Sequence, residues 1–282
     1  MQSTSPHGLI KISDAEFKSV ADFVYGRYGI DLSKKRQLVE GRLSQTIRER
    51  GLGSFDEYMQ LLRNDREGDE ITHFLNRITT NHSYFARELK HFEFLMDHAL
   101  PFLEKNRSRE LRIWSAGCSA GQEAYNIAMV MDQYFGSRKS QWDTRILATD
   151  ISINVLDKAR QAVYAEDNIK DLPPAWKSKY LNKLPDGTVQ VNETIRKEVI
   201  FKIFNLMDPF VYKKPFDIIF CRNVMIYFDQ ETRDALVDKF FKATANDGFF
   251  MIGHSEVLDR ERSGYKFLRP SIFQKSNTPL VI

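Results

Sequence analysis

The chain has 282 residues, 42% of them hydrophobic, and a formal net charge of +3, enough for one large domain or two unequal ones with a real core. No apolar run approaches the ~18 residues of a membrane-spanning helix, and the polar stretch from Met1 to Gly8 lacks an apolar signal core, so a cytoplasmic protein without membrane insertion is expected. Two cysteines, Cys118 and Cys221, exclude a disulfide framework and a metal set, and so small a charge does not by itself imply nucleic acid.

The first 80 or so residues read as all-helical. Ser13-Asp14-Ala15-Glu16 has capping-box spacing, and Phe17, Val20, Val24 and Tyr28 follow at helical intervals. Ser33 is placed to cap a second helix with an apolar face of Leu38, Val39, Leu43 and Ile47, stopped at Gly51. Ser54-Phe55-Asp56-Glu57 repeats the capping box, and Ile71, Phe74, Leu75 and Ile78 mark a fourth helix. Helices this short must pack as a bundle to persist. After the polar segment from Thr79 to Ser83, a helix through Phe92, Phe94, Leu95 and Leu100 leads into the first strand.

From Trp114 onward strand and helix alternate, the pattern of a parallel sheet with right-handed crossovers. Strands are predicted at 111–116, 145–149, 199–204, 216–221 and 248–252, with helices at 121–135, 152–162 and 229–244. Pro185-Asp186-Gly187 is a strong turn signal between apolar alternations, which suggests a small antiparallel β subdomain at about 183–203, inserted into the sheet domain. Tyr265 to Phe273 reads as a final antiparallel strand or hairpin.

The stretch Trp114-Ser115-Ala116-Gly117-Cys118-Ser119-Ala120-Gly121-Gln122-Glu123 is a strand, a small-residue turn and a helix start, where backbone can approach a ligand at a helix N-terminus. The next strand ends in Asp150, placed to accept both hydroxyls of a ribose. Asp150 could instead cap the helix starting near Ser152. The glycines do not spell G-x-G-x-x-G, so a cofactor with a ribose and no phosphates is the better reading, and S-adenosylmethionine fits. Two other strand ends carry Phe204-Asn205-Leu206, suited to an adenine, and the run Cys221-Arg222-Asn223-Val224-Met225-Ile226-Tyr227-Phe228.

This last run, the linker from Thr79-Thr80-Asn81 to Arg87-Glu88, and Gly253-His254-Ser255-Glu256 occur in an order that resembles the chemotaxis receptor methyltransferases, the CheR family of protein-glutamate O-methyltransferases. The resemblance covers nearly the whole chain. It implies an α/β fold: a Rossmann-like class I methyltransferase sheet over 97–282 with an inserted antiparallel β subdomain, preceded by an all-helical receptor-recognition domain over 1–80 and a linker over 81–96. There are departures. The family usually has two glutamates and a proline after the last turn glycine, where this chain has Gln122, Glu123 and Ala124, and the linker has His82 and Ala86 where Glu or Thr and an aromatic are commoner.

Carried over by position, the resemblance implies that Asn81, Ser83, Arg87, Glu123, Asp150, Asn205, Leu206, Arg222 and Asn223 surround S-adenosylmethionine, whose product is S-adenosylhomocysteine. Glu123 suits the cofactor's ammonium, and Arg87 can hold a carboxylate through a bidentate fork. Arg87 and Tyr227 are the expected catalytic residues, Tyr227 orienting the acceptor carboxylate or lining the transfer path. A glutamate acceptor, with a free pKa of ~4.3, needs no general base. The expected partner is the cytoplasmic helical bundle of methyl-accepting receptors. From Arg27 to Arg50 seven basic residues face three acidic ones, and Lys34, Lys35, Arg36, Arg42, Arg48 and Arg50 are expected to dock that acidic bundle, although a solvated face is the plainer reading. The turn at Pro185-Asp186-Gly187 looks shorter than in family members that grip a receptor's C-terminal peptide, so tail docking is not expected. A nucleic-acid methyltransferase is the other enzyme class to weigh; against it, the strand at 216–221 ends in Cys-Arg-Asn and not in an Asn/Asp-Pro-Pro-aromatic turn. A non-catalytic cofactor-binding regulator is disfavoured by the presence of Glu123, Asp150, Arg87 and Tyr227.

Overall fold

The computed structural model describes residues 9–65, 68–79, 83–278 and 280. The chain divides into two units: Met1–Asn81 with Tyr227–Asp229, and His82–Ile226 with Gln230–Ile282. Among the described residues no helix is long and apolar enough to cross a membrane.

The first unit is helical. α1 (Asp14–Tyr28) begins at a complete capping box, in which Ser13 accepts from the Glu16 N–H and the Glu16 carboxylate accepts the Ser13 N–H at 2.8 Å. α3 (Phe55–Asn64) has half of one: Ser54 caps the Glu57 N–H, but the Glu57 carboxylate takes the N–H of Gly53. α2 (Arg36–Glu49) starts later than its sequence signal, with Lys35 at the N-cap and no side-chain cap. Ser33 is not the cap; its N–H donates to the Asp31 carboxylate at 2.8 Å, so the residue is held in a turn of its own. α4 (Asp69–Ile78) completes the bundle. Val20, Val24, Val39, Leu43, Ile47, Phe55, Tyr58, Leu62, Phe74 and Leu75 are buried, each apolar side chain contributing ~1.5–3 kcal/mol that helix propensity alone could not supply. Within this unit Ile30 bridges Phe228, and the Asp31 N–H donates to the Tyr227 carbonyl at 2.8 Å.

The second unit opens with a helical run, α5 (Lys90–Phe94), a π turn at Leu95–Ala99 and α6 (Leu100–Asn106). The strands are β1 (Ile113–Ala116), β2 (Ile146–Asp150), β3 (Val163–Tyr164), β4 (Leu181–Lys183), β5 (Val189–Val191), β6 (Val199–Ile203), β7 (Phe216–Cys221), β8 (Thr244–Ile252), β9 (Lys266–Arg269) and β10 (Ile272–Gln274). The helices are α7 (Gln122–Phe135), α8 (Ile153–Gln161), α9 (Pro174–Tyr180), α10 (Glu193–Arg196) and α11 (Gln230–Ala243). The main sheet runs β6-β2-β1-β7-β8-β10-β9. Its first five strands are parallel, and β10 and β9 close it as an antiparallel hairpin. Sequence order reverses between β1 and β7, the switch point beside which open α/β sheets bind ligands.

The small sheet corrects the predicted subdomain boundary. It is made of β3, β5 and β4, all antiparallel, with β4 and β5 joined through Leu184–Thr188. Val199–Ile203 lies outside it, paired in parallel with β2 along its whole length. The apolar alternation at 199–203 suits either sheet, and only long-range pairing chooses between them.

Trp114, fully buried on β1, anchors one face of the main sheet. The rings of Phe204, Phe210, Tyr212, Phe216 and Phe240 lie with centroids 5.0–6.0 Å from it, and its indole N–H donates to Thr149 Oγ1 at 2.9 Å. α7 packs on the other face through Tyr125, Ile127, Ala128, Met129 and Met131. Cys118 and Cys221 are buried, unpaired thiols whose pKa burial pushes up, which suits space-filling and not nucleophilic roles.

Candidate active site

At the switch point the chain after β1 must turn sharply to start α7. Gly117 makes this possible: its φ is 80°, and a Cβ there would sit 2.3 Å from Val224 Cγ2. The Gly117 and Cys118 N–H groups donate to the Thr149 carbonyl at 2.8 and 2.9 Å, tying the turn to the end of β2. Asp150, the last residue of β2, then accepts from the Ser119 N–H at 2.8 Å and the Ser152 N–H at 3.0 Å. Burial pushes the Asp150 carboxyl up, and these two donors pull against it. Each oxygen keeps a lone pair for a further donor. Asp150 thus serves the turn as well as the start of α8, where Ser152 itself caps the Val155 N–H.

The run after β7 supplies the centre of the site. Arg222 has a nearly inaccessible side chain, and its guanidinium faces two carboxylates. Nη1 donates to Glu123 at 2.9 Å, Nε and Nη2 donate to one oxygen of Glu88 at 3.2 and 3.1 Å, and Nη2 also donates to the Arg87 carbonyl. The plane of charge lies 5.5 Å over the Phe92 ring. Ser115 on β1 completes Glu123 by donating to its other oxygen at 2.7 Å. The other oxygen of Glu88 receives the His254 N–H at 3.2 Å and the Asn223 amide at 3.4 Å. Burial pushes the Glu88 carboxyl up, but Arg222 and the His254 N–H outweigh it and hold it below the usual range. For Glu123 burial wins over Arg222 and Ser115, and its pKa is raised.

His91, wholly buried, lies 3.2 Å through Nδ1 from the Glu88 carbonyl, and its ring is 5.1 Å from that of His254. Burial first and Arg222 next push its pKa down to about 4, so it is neutral at physiological pH. Glu88, His91 and His254 offer ligand atoms within 4.8 Å of one another. The Arg222 charge 3.1 Å from the shared carboxylate repels a second cation, which disfavours a metal there.

Residues 81–272 match the CheR methyltransferase, SAM binding domain, and residues 15–79 match the CheR methyltransferase, all-alpha domain. This chain belongs to the CheR methyltransferase family. It is 43% identical over 273 residues to a chemotaxis protein methyltransferase of Borreliella burgdorferi, covering 95% of this chain and 96% of that one. It is 38% identical over 252 residues to the chemotaxis protein methyltransferase of Escherichia coli K12, covering 88% and 86% of the two chains. A chemotaxis protein methyltransferase 2 of Pseudomonas aeruginosa is 39% identical over 246 residues, 86% of either chain.

The cofactor of this domain is S-adenosylmethionine, and the turn fits it. Asp150 has acceptor capacity for ribose hydroxyls, and Ser119 Oγ and Gln122 Oε1 are buried beside the turn with no hydrogen-bond partner among the described residues. The structure gathers Glu123, Arg222 and Asn223 into one hydrogen-bonded cluster with Glu88, and sets Asp150 on the Gly117 turn. Ser83 is half-buried, and its carbonyl accepts from Gln122 Nε2 at 3.4 Å. Asn205 follows β6 and turns its side-chain oxygen onto the Met207 N–H at 3.0 Å, while Leu206 is buried beside it. Asn81 lies outside the described residues.

Two expected roles sit differently. Arg87 enters the cluster through its carbonyl, whereas its guanidinium lies 6.0 Å from the Tyr84 ring. Tyr227 is placed with the helical unit, where Lys35 Nζ lies 5.5 Å from its ring centroid. The six basic residues also divide. Arg36 binds Asp14 and the Ile12 carbonyl, Arg42 donates to the Arg77 and Thr79 carbonyls at 3.2 Å, and Arg50 pairs with Glu70 at 2.8 Å. Those three have partners within the helical unit, Arg50 while still exposed, and Lys34 and Arg48 are exposed as well. The expectation that all six charges point to solvent or a partner is corrected for Arg42, because its guanidinium satisfies free carbonyls at a helix end.

Sequence reasoning gave no role to Glu88, Ser115 or Glu256. Glu88 and Glu256 lie in quoted motifs, and the signal available was a carboxylate beside each glycine-bounded or arginine-bearing turn.

Proposed function

We propose that this chain transfers the methyl group of S-adenosylmethionine to glutamate side chains in the cytoplasmic helical bundle of methyl-accepting chemotaxis receptors. It would act in the cytoplasm, forming methyl esters and leaving S-adenosylhomocysteine. The observation that carries this reading is 43% identity over 95% of the chain to a relative named a chemotaxis protein methyltransferase.

When bound, the cofactor supplies an electrophilic methyl group on a sulfonium. The chain's residues then have to bind, orient and exclude water. Asp150 would accept from the ribose hydroxyls, and Asn205 and Leu206 would hold the base. Arg222 neutralises Glu88 and fixes Glu123, and Glu123 would be the carboxylate to hold the cofactor's ammonium. Arg87 and Tyr227 are assigned to the acceptor carboxylate. That acceptor is ionised at neutral pH, so no base has to take a proton from it.

On the helical unit, Lys34 and Arg48 are the exposed charges best placed to meet an acidic receptor surface, with Lys35 beside Tyr227. Labelled methyl transfer to receptor cytoplasmic fragments, followed by release of volatile methanol in base, tests the reading. Transfer to RNA or DNA instead, or a base-stable product, would refute it.

A further inference from the structure

Glu256 follows β8 in the Gly253-His254-Ser255-Glu256 loop and is largely buried, 8% exposed. Its two oxygens receive four backbone N–H groups. One accepts from Val224 at 3.0 Å and Met225 at 2.7 Å; the other accepts from Asn223 at 2.9 Å and Gly253 at 2.6 Å. Three of these donors are consecutive, so the turn after β7 forms a concave nest around one carboxylate. Asn223 needs such support: its φ is 59°, a left-handed conformation that a non-glycine residue keeps only when its surroundings fix it.

The turn is also pressed from two sides. A Cβ on Gly253 would lie 2.5 Å from Asn223 Nδ2 and 2.9 Å from its backbone nitrogen, and a Cβ on Gly117 would meet Val224. A shift of this turn cannot be absorbed locally, because Val224 rests against the cofactor turn and Arg222 against Glu88 and Glu123.

We infer that Glu256 is a positioning residue for methyl transfer, its carboxylate holding the Arg222–Met225 turn in the one shape that sets Asn223 at the cofactor site and Arg222 on Glu88 and Glu123. The inference rests on the assignment of Asn223 to the cofactor site. A glutamine at 256 has one acceptor oxygen, so it can serve one pair of N–H groups while its own NH2 confronts the other pair. Burial outweighs the four donors and raises the Glu256 pKa; the geometry is that of the carboxylate all the same, because a protonated oxygen would set an O–H against the N–H groups it now accepts from.

The test compares the parent with Glu256→Gln, Asn223→Ala, the double variant and Gly253→Ala. S-adenosylhomocysteine affinity is measured by calorimetry, and kcat and KM for a receptor fragment are measured separately. Glu256→Gln should weaken S-adenosylhomocysteine and lower kcat, by up to about a hundredfold for a displacement near 1 Å, with little change in receptor KM. The double variant should bind no more weakly than the worse single one, since both changes spoil the same contact. Gly253→Ala, which keeps the carboxylate but crowds Asn223, should weaken binding too, and it carries the test if Glu256→Gln does not fold. Parental affinity in Glu256→Gln or Gly253→Ala beside a weakened Asn223→Ala overturns the inference alone, as does an additive double variant. Parental affinity in Asn223→Ala overturns the site assignment first.

Discussion

Replacing Arg222 by methionine tests the electrostatic design of the site. The side chains of Arg222, Glu88 and Glu123 are 2%, 13% and 13% exposed, so solvent does little to screen them. Methionine fills much of the same volume and can rest on Phe92, but it leaves two buried carboxylates without their shared cation. Removing one partner of a buried pair costs about 3–5 kcal/mol. At about 2–4 °C per kcal/mol for a domain of this size, the unfolding temperature of the sheet unit should fall by about 6–20 °C at pH 7. The sign with pH follows from the shifts. In the parent, Glu88 has a lowered folded pKa, so its contribution is present above its unfolded value and is lost as pH falls through the folded one. In Arg222→Met, burial is opposed only by the weaker hydrogen bonds of the His254 N–H and Asn223 amide at Glu88 and of Ser115 at Glu123, so both carboxyls move up, and the variant is worst at neutral pH and recovers as the pH drops toward 5 and the carboxyls take up protons. Scanning calorimetry at pH 7 and pH 5, on parent and variant, reads this directly. A variant within about 1 kcal/mol of the parent at pH 7, or a deficit that grows on acidification, would refute the reasoning.

Asp150→Ala should weaken S-adenosylhomocysteine by about 2–4 kcal/mol in a calorimetric titration, because it removes the ribose acceptor and orphans the Ser119 and Ser152 N–H groups; unchanged affinity would remove Asp150 from the site. Tyr227→Phe should lower kcat with little effect on cofactor affinity, and full turnover would take the hydroxyl out of the transfer path. Lys34→Glu with Arg48→Glu should raise receptor KM, flatten the salt dependence of methylation and leave cofactor affinity alone. Arg36→Glu and Arg50→Glu, by contrast, should lower the unfolding temperature of the bundle, since they break the pairs with Asp14 and Glu70; equal stability in both sets would refute the division.

Local chemistry was enough to read the elements and the strand tips. Capping at Ser13 and Ser54, apolar spacing along α1 to α4, and the small residues from Gly117 to Gly121 act over a few positions, where side-chain period and backbone sterics dominate. The same locality put Asp150, Arg222 and Asn223 at strand ends, because a parallel sheet delivers the ends of its strands to one edge. Pairing across long separations was not legible. Glu88 meets Arg222 across 134 positions and Asn223 meets Glu256 across 33, so no local pattern distinguishes these carboxylates from solvated ones. Ser33 lost its helix to Asp31, Val199–Ile203 joined β2 and not the small sheet, and Arg36, Arg42 and Arg50 found carbonyls and acids of their own unit. Each outcome is a competition between partners of similar local merit, decided by which one the folded chain brings within hydrogen-bonding reach.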